Sequence, residues 1–238
     1  MPVFTPPRRT PPTTKKELYQ ELNELVRHGE YEMPAVRYKG TGAPGLYLED
    51  LFGFSAGNRD VPDNLGYELK FYTPKTNLLT LFHKEPRPEG VVGYMVRRYG
   101  WKDKQGRKSF RHTIAGRTDK FQIDADANQI LVRRVGGNGT VPFWTNDDIL
   151  SAAGAKLRRL VLVRGVRNGQ KVTYDRVDIY ENLQLTFFVA KVVNGTVAID
   201  FDAREMKPDS KGFRNHETKF RIQPENICRL YAKKERLC

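Results

Sequence analysis

Leu18, Leu22, Leu25 and Val26 recur at the spacing of one helical face, opened by Thr14 with Glu17 three residues on and closed by Gly29. That pattern predicts a capped first helix. A second, shorter helix is expected over 46–52, after GTGAPG and before Gly53. Over 67–71 the period changes to two: Tyr67, Leu69 and Phe71 alternate with Glu68 and Lys70. In a strand the apolar side chains then face one way and the charged ones the other. NLLTLF, 77–82, reads as a second strand that can lie beside the first, and 92–99 as a helix ending near Gly100.

Farther along, KSFRHTIAG and QILVRRV read as strands, and WTNDDIL as the start of a helix around Asn146. Strands are expected over 157–166, 172–180 and 196–201, a helix over 182–193, and after KFRI a short helix whose first turn accepts Pro224. Helices and strands mixed in this order predict an α/β or α+β sheet protein. No internal repeat, sustained heptad or obvious linker interrupts the chain.

Charge narrows the choice of partner. Across 238 residues, Lys and Arg number 41 against 28 Asp and Glu, a formal net charge of +13. Such an excess attracts polyanions at long range, so nucleic acid is the first partner expected. No long apolar run suggests a membrane span. Two cysteines, Cys228 and Cys238, are too few for a disulfide framework or a four-ligand zinc site and suit a reducing cytoplasm. The start, MPVFTPPRRTPPTTKK, lacks the apolar core of a signal peptide; residues 1–13 read as a flexible, basic, proline-rich arm. Neither a Walker-type phosphate loop nor a glycine-rich dinucleotide fingerprint occurs.

The segment PDNLGYELK, 62–70, carries the candidate chemistry. Two carboxylates can hold Mg²⁺ through hard oxygen ligands and leave coordination positions for water and phosphate. Asp63 would approach from the loop, Glu68 and the backbone carbonyl of Leu69 from the strand. Lys70 falls on the same side of the strand as Glu68, about 7 Å along it, where an ammonium can orient water or compensate developing negative charge. A solvated turn running into an ordinary strand is the competing reading, because E-x-K is a short pattern in a highly charged chain.

Taken together, GTGAPGLYLEDLFG, PDNLGYELK and NLLTLFHKEP resemble the MvaI/BcnI type of restriction endonuclease, a group related to the strand-nicking repair nuclease MutH. The likeness is strongest over 40–86, with weaker echoes through KLRRLVLV, NGTVAIDFD and SKGFRNHETKFRI. It implies a restriction-endonuclease-like PD-(D/E)xK core, a mixed sheet flanked by helices, in a monomer of two lobes around a DNA cleft. A catalytic lobe is expected over 14–100 and a predominantly DNA-recognition lobe over 101–238, with some later segments returning to the core. The implied activity is type II restriction: Mg²⁺-dependent hydrolysis of double-stranded DNA at a short CC-N-GG-like site, one strand at a time, with a cognate DNA methyltransferase as companion.

By position, the resemblance assigns Asp63, Glu68 and Lys70 to the catalytic acidic pair and lysine, and Glu49 to an additional helical acid that could orient Lys70 or complete an outer metal shell. A solvated helix face is the alternative for Glu49. His83 matches a base-contacting histidine, with Lys84 beside it suited to phosphate. In KGFRNHETKFRI, a base-contacting histidine of one branch falls on Lys219, and His216 is displaced by three residues. Arg214, Lys219 and Arg221 make a recognition or backbone-clamping segment, since Arg and Lys can donate to guanine or bind phosphate. The alternatives are a MutH-like nicking nuclease and a noncatalytic DNA-binding protein.

Overall fold

The computed structural model describes residues 10–54, 65–206 and 212–238. Asp63 and most of the 1–13 arm lie outside these residues. The chain forms two compact units, one from Met1–Asn77, Ala155–Leu183 and Tyr231–Cys238, the other from Leu78–Gly154 and Gln184–Leu230. Residues 78–100, placed by the sequence reading with the catalytic segment, thus belong with the second unit. The strand Leu79–His83 accordingly does not pair with Tyr67–Tyr72, as NLLTLF had suggested; it pairs with Lys219–Ile222. Phe82 stacks on Phe220, ring centroids 4.9 Å apart, so its apolar face is buried by that partner.

In the first unit a five-stranded sheet runs Glu30–Glu32, Lys171–Leu183, Arg159–Asn168, Tyr67–Tyr72, with Tyr231–Arg236 also on Lys171–Leu183. Among the described strands only Tyr67–Tyr72 runs parallel to its neighbour, pairing Glu68 with Leu160 and Lys70 with Leu162. The helices Lys15–His28 and Ala43–Leu51 bury Leu18, Leu22, Leu25, Tyr47 and Leu48 with Tyr67, Leu69, Val161, Val163, Val177 and Ile179 of the sheet. The predicted cap is present: the Glu17 N–H donates to Thr14 Oγ1 at 3.2 Å, while the Glu17 carboxylate accepts from Thr13. Gly29 ends that helix at φ 83°, a conformation open to glycine at little cost.

A half-buried anion fastens the first helix to the sheet. Glu181 accepts from Tyr67 Oη at 2.6 Å, Lys15 Nζ at 2.9 Å and Lys233 Nζ at 3.0 Å. The Tyr67 hydroxyl, then Lys15, holds its carboxyl down at about 2. A depressed folded-state pKa contributes stability above the unfolded value near 4.5, and that contribution fades as pH falls from there toward 2. Glu181→Gln is therefore expected to cost about 1 kcal/mol at pH 7, solvent screening keeping it small. Urea melts at pH 7 and pH 3 should show the gap between the two proteins closing on acidification; a constant gap would contradict this.

The second unit holds a six-stranded antiparallel sheet in the order Leu79–His83, Lys219–Ile222, Val197–Glu205, Lys108–Ile114, Trp101–Lys102, with Phe213–Asn215 also on Val197–Glu205. A three-stranded meander, Phe121–Ala125, Gln129–Arg134 and Phe143–Thr145, stands beside it in sequence. Phe110, Phe121, Trp144, Phe188, Phe201 and Phe220 fill the core.

The predicted helix over 182–193 is only half right. Asn182 has φ 62°, which asparagine tolerates but a helix interior does not, and the strand continues to Leu183 before a 3₁₀ turn and the helix Phe188–Val193. After Pro224 the helix is 3₁₀ and leads into the strand Tyr231–Arg236, which the sequence reading lacked. Among the described residues no helix is long and apolar enough to cross a membrane.

Candidate active site and nucleic-acid face

Leu65 and Gly66 turn into the catalytic strand with φ of 50° and 75°. Positive φ at leucine is uncommon and costs conformational energy, which marks the turn before Glu68 as one held by its surroundings. Beyond it, alternation does what the sequence predicted: Tyr67 and Leu69 enter the core beneath the helices, and Glu68 and Lys70 occupy the opposite face. That face is not solvent. Glu68 is only 4% exposed.

A buried carboxylate needs cations or donors. Glu68 Oε1 takes a charge-assisted hydrogen bond from Lys70 Nζ at 2.8 Å, and Lys156 Nζ stands 3.9 Å away. Lys156, in the last turn of the helix Asn146–Leu157, opens the quoted segment KLRRLVLV but was given no role from sequence. Oε2 of Glu68 is buried and, among the described residues, has no hydrogen-bond partner. An unpartnered anionic oxygen of this kind fits a hard divalent cation, so the donor chemistry suits Mg²⁺ at this position. Nearby, Tyr231 donates to the Leu157 carbonyl at 2.8 Å; burial, then the Glu68 charge, pushes its phenol well above the usual range and keeps it neutral.

Around that pair the remaining candidates separate. Glu49 is half-buried on the helix Ala43–Leu51, one residue beyond the core side chain Leu48, and its carbonyl accepts from the N–H groups of Phe52 and Phe54. The adjacent Asp50 is committed elsewhere, accepting from Arg37 and from Tyr38 Oη, both at 2.6 Å. Leu69 contributes its side chain to the core and its backbone to the pairing with Val161. Among the described residues no group of three or more His, Cys, Asp or Glu converges as a metal cluster; Asp63 is outside that set.

In the second unit His83, Lys219 and Arg221 lie on two neighbouring strands, Lys84 just past the end of the first, Arg214 on the strand Phe213–Asn215 and His216 in the loop after it. His83 and Lys219 are direct cross-strand partners, so their side chains share one face of the sheet, opposite the Phe82–Phe220 stack. His83 Nε2 lies 3.8 Å from Glu217, which itself has φ 64°. The segment is fixed by Glu85, whose carboxylate accepts from the Thr218 N–H at 2.7 Å and Asn215 Nδ2 at 2.8 Å. His216 is anchored through its N–H to the Asp202 carbonyl, 2.9 Å. Arg214 is exposed and stands directly opposite Arg204. Like charges so paired repel, and an anion between them relieves the repulsion.

Lys84 and Arg221 are held by acids of the same unit. Lys84 Nζ is 3.4 Å from Asp148, and Arg221 donates to Asp200 at 3.0 Å and to the Leu78 carbonyl at 2.8 Å. Glu85 and Arg204 were not singled out from sequence; their signal is tertiary, since only the pairing of distant strands gives them neighbours.

Comparison with known proteins bears on the family and the fold. The model of the MvaI/BcnI restriction endonuclease family matches residues 21–231. The fold is similar to that of restriction endonuclease MvaI in complex with cognate DNA substrate, with TM-score 0.79 and 23% identity over 94% of this chain and 98% of that one. It is less similar to MvaI in the absence of DNA, with TM-score 0.57 and 22% identity over 93% and 96%. No curated protein matches the sequence.

Proposed function

The chain belongs to the MvaI/BcnI restriction endonuclease family, and from that premise we propose that it is a Mg²⁺-dependent type II enzyme of the cytoplasm that reads a short CC-N-GG-like site. Membership makes it a DNA-cleaving enzyme of restriction-endonuclease type. The observation that carries the metal dependence is Glu68: buried, held at one oxygen by Lys70, and with its other oxygen unpartnered among the described residues. Asp63, Glu68 and the Leu69 carbonyl would hold the ion, with Glu49 in support. Bound there, Mg²⁺ would compensate charge on the phosphoryl oxygens and acidify a water.

The chain's own residues do the rest. Lys70 neutralises Glu68 in the resting site and presents its remaining donors toward an incoming phosphate. Lys156 adds a second positive charge beside Glu68, so that acid with its two lysines carries a net positive charge and favours a phosphodiester. Reading of bases falls to His83 and Lys219 on one sheet face, with His216 and Arg214 on the adjoining segment; Lys84 and Arg221 contribute charge and position. We assign one catalytic centre to a monomer, so the two strands are cut in succession, and a cognate methyltransferase protects host sites.

The test is cleavage of unmethylated supercoiled plasmid with Mg²⁺ and with EDTA, followed by sequencing of the termini. A nicked intermediate followed by discrete ends at one CC-N-GG-like sequence, lost in EDTA, is the expected outcome. Nicks that never become linear breaks would favour a MutH-like enzyme, and binding without breakage a noncatalytic protein.

A further inference from the structure

The sheet face that bears Glu68 and Lys70 continues past them. Through register, Lys70 is followed across the sheet by Leu162, Asp178 and Arg236, and Glu68 by Leu160, Tyr180 and Lys234. The next row begins with Tyr72 and reaches Arg164 and Arg176. On the opposite face the same strands present the core residues Leu69, Val161, Val163, Val177 and Ile179. Four cations and the catalytic pair therefore share one side of one sheet.

Their arrangement is built around a buried acid. Asp178 is 1% exposed and is approached by Arg176 at 2.7 Å, Arg236 at 3.5 Å and Lys234 at 3.8 Å. Arg164 makes a two-pronged bond to Asp175, 2.8 and 3.2 Å. Four positive charges against two negative ones leave an excess of two. One carboxylate cannot satisfy three cations. Arg236 and Lys234 are the exposed members, with side chains 59% and 39% accessible. Lys234 is further steadied over the Tyr180 ring, 5.6 Å from its centroid. Asp178 thus holds the cations in place without cancelling them.

We infer that Lys234 and Arg236, the exposed end of this row beyond the buried Leu160, Leu162, Asp178 and Tyr180, form a second phosphate-binding site, on which the catalytic unit grips duplex DNA flanking the phosphate to be cut. Strand spacing puts Arg236 about 14 Å from Lys70, three strands away. A duplex presents one charge per about 1.7 Å of axis, so backbone beyond the scissile bond is available at that reach. The contacts go to phosphate and carry no sequence information. The inference rests on the nuclease reading and adds to it a surface outside both the catalytic pair and the base-reading strands.

The experiment measures duplex affinity in EDTA as a function of salt for the parent and for Lys234→Gln/Arg236→Gln, which leaves Arg176 to pair with Asp178. Two duplexes are used, one ending at the recognition site and one extended by further turns of helix on both sides. A control, Lys16→Gln/Lys171→Gln, removes equal charge from the first helix and the far sheet edge. Losing two phosphate contacts should make the slope of log K against log salt shallower by about 1.8, equivalent to about tenfold less loss of affinity between 50 and 200 mM salt.

That change should occur with the extended duplex and only in the variant of Lys234 and Arg236, with thermal melts confirming the fold of each protein. An unchanged slope, an equal change in the control, or an equal change on the short duplex would each overturn the inference. Metal-dependent plasmid cleavage by the parent, run alongside, reports separately on the nuclease reading.

Discussion

Glu68→Gln is expected to lower the rate of DNA cleavage by roughly a thousandfold, about 4 kcal/mol, while duplex binding stays within a few-fold of the parent. Glutamine keeps the volume and can still accept from Lys70, so the site is filled, but it no longer offers two anionic oxygens. The buried, unpartnered Oε2 is the atom whose character changes. Removing the charge also leaves Lys70 and Lys156 without their shared counter-ion, which should cost stability and must be followed by melting. Single-turnover cleavage at saturating Mg²⁺ is the measurement. A variant within tenfold of the parent would show that Glu68 is a structural acid and return PDNLGYELK to an ordinary turn and strand.

The second large effect concerns the two lysines, which geometry separates. Lys70 bonds Glu68 at 2.8 Å, whereas Lys156 stands at 3.9 Å, beyond hydrogen-bond reach. Lys70→Ala is expected to reduce single-turnover cleavage by on the order of a hundredfold to a thousandfold, as for loss of a positioned transition-state donor. Lys156→Ala should cost about tenfold, with most activity regained in Lys156→Arg, which keeps the positive charge on a different fork. Equal losses, or a larger loss at Lys156, would reverse the assignment and make the helix lysine the partner of the reacting phosphate.

Much of this site was readable locally, and what was not is instructive. Glu68 and Lys70 fall within one strand, where the period of two alone decides that they share a face, and the structure keeps them there. The first helix was equally plain, since its cap, apolar stripe and closing glycine lie within sixteen consecutive residues. Lys156 sits in NDDILSAAGAKL, where nothing local distinguishes it from any lysine in a last helical turn. Its role arises from the parallel neighbour strand that follows it. Tyr231–Arg236 escaped because YAKKER offers no apolar alternation. Strand character there is imposed by pairing with Lys171–Leu183, and tertiary context overrides weak propensity. The same applies to Leu79–His83, a strand recognised as such but given the wrong neighbour, because local pattern specifies a strand without specifying its partner.

The unit that carries Glu68 is assembled from three stretches of chain, with 78–154 and 184–230 intervening. Contacts between such distant stretches require closing long loops before they return any free energy, and proteins dominated by them fold slowly. The parallel pairing of Tyr67–Tyr72 with Arg159–Asn168, and the later addition of Tyr231–Arg236, are contacts of this type. During synthesis, a ribosome that has translated Lys70 has not yet supplied Lys156, Leu160 or Tyr231, and the acid has none of its later neighbours. The order of translation thereby separates the appearance of the E-x-K segment from the completion of the site around it, so that an incomplete chain of a DNA-cutting enzyme carries the motif without the machinery.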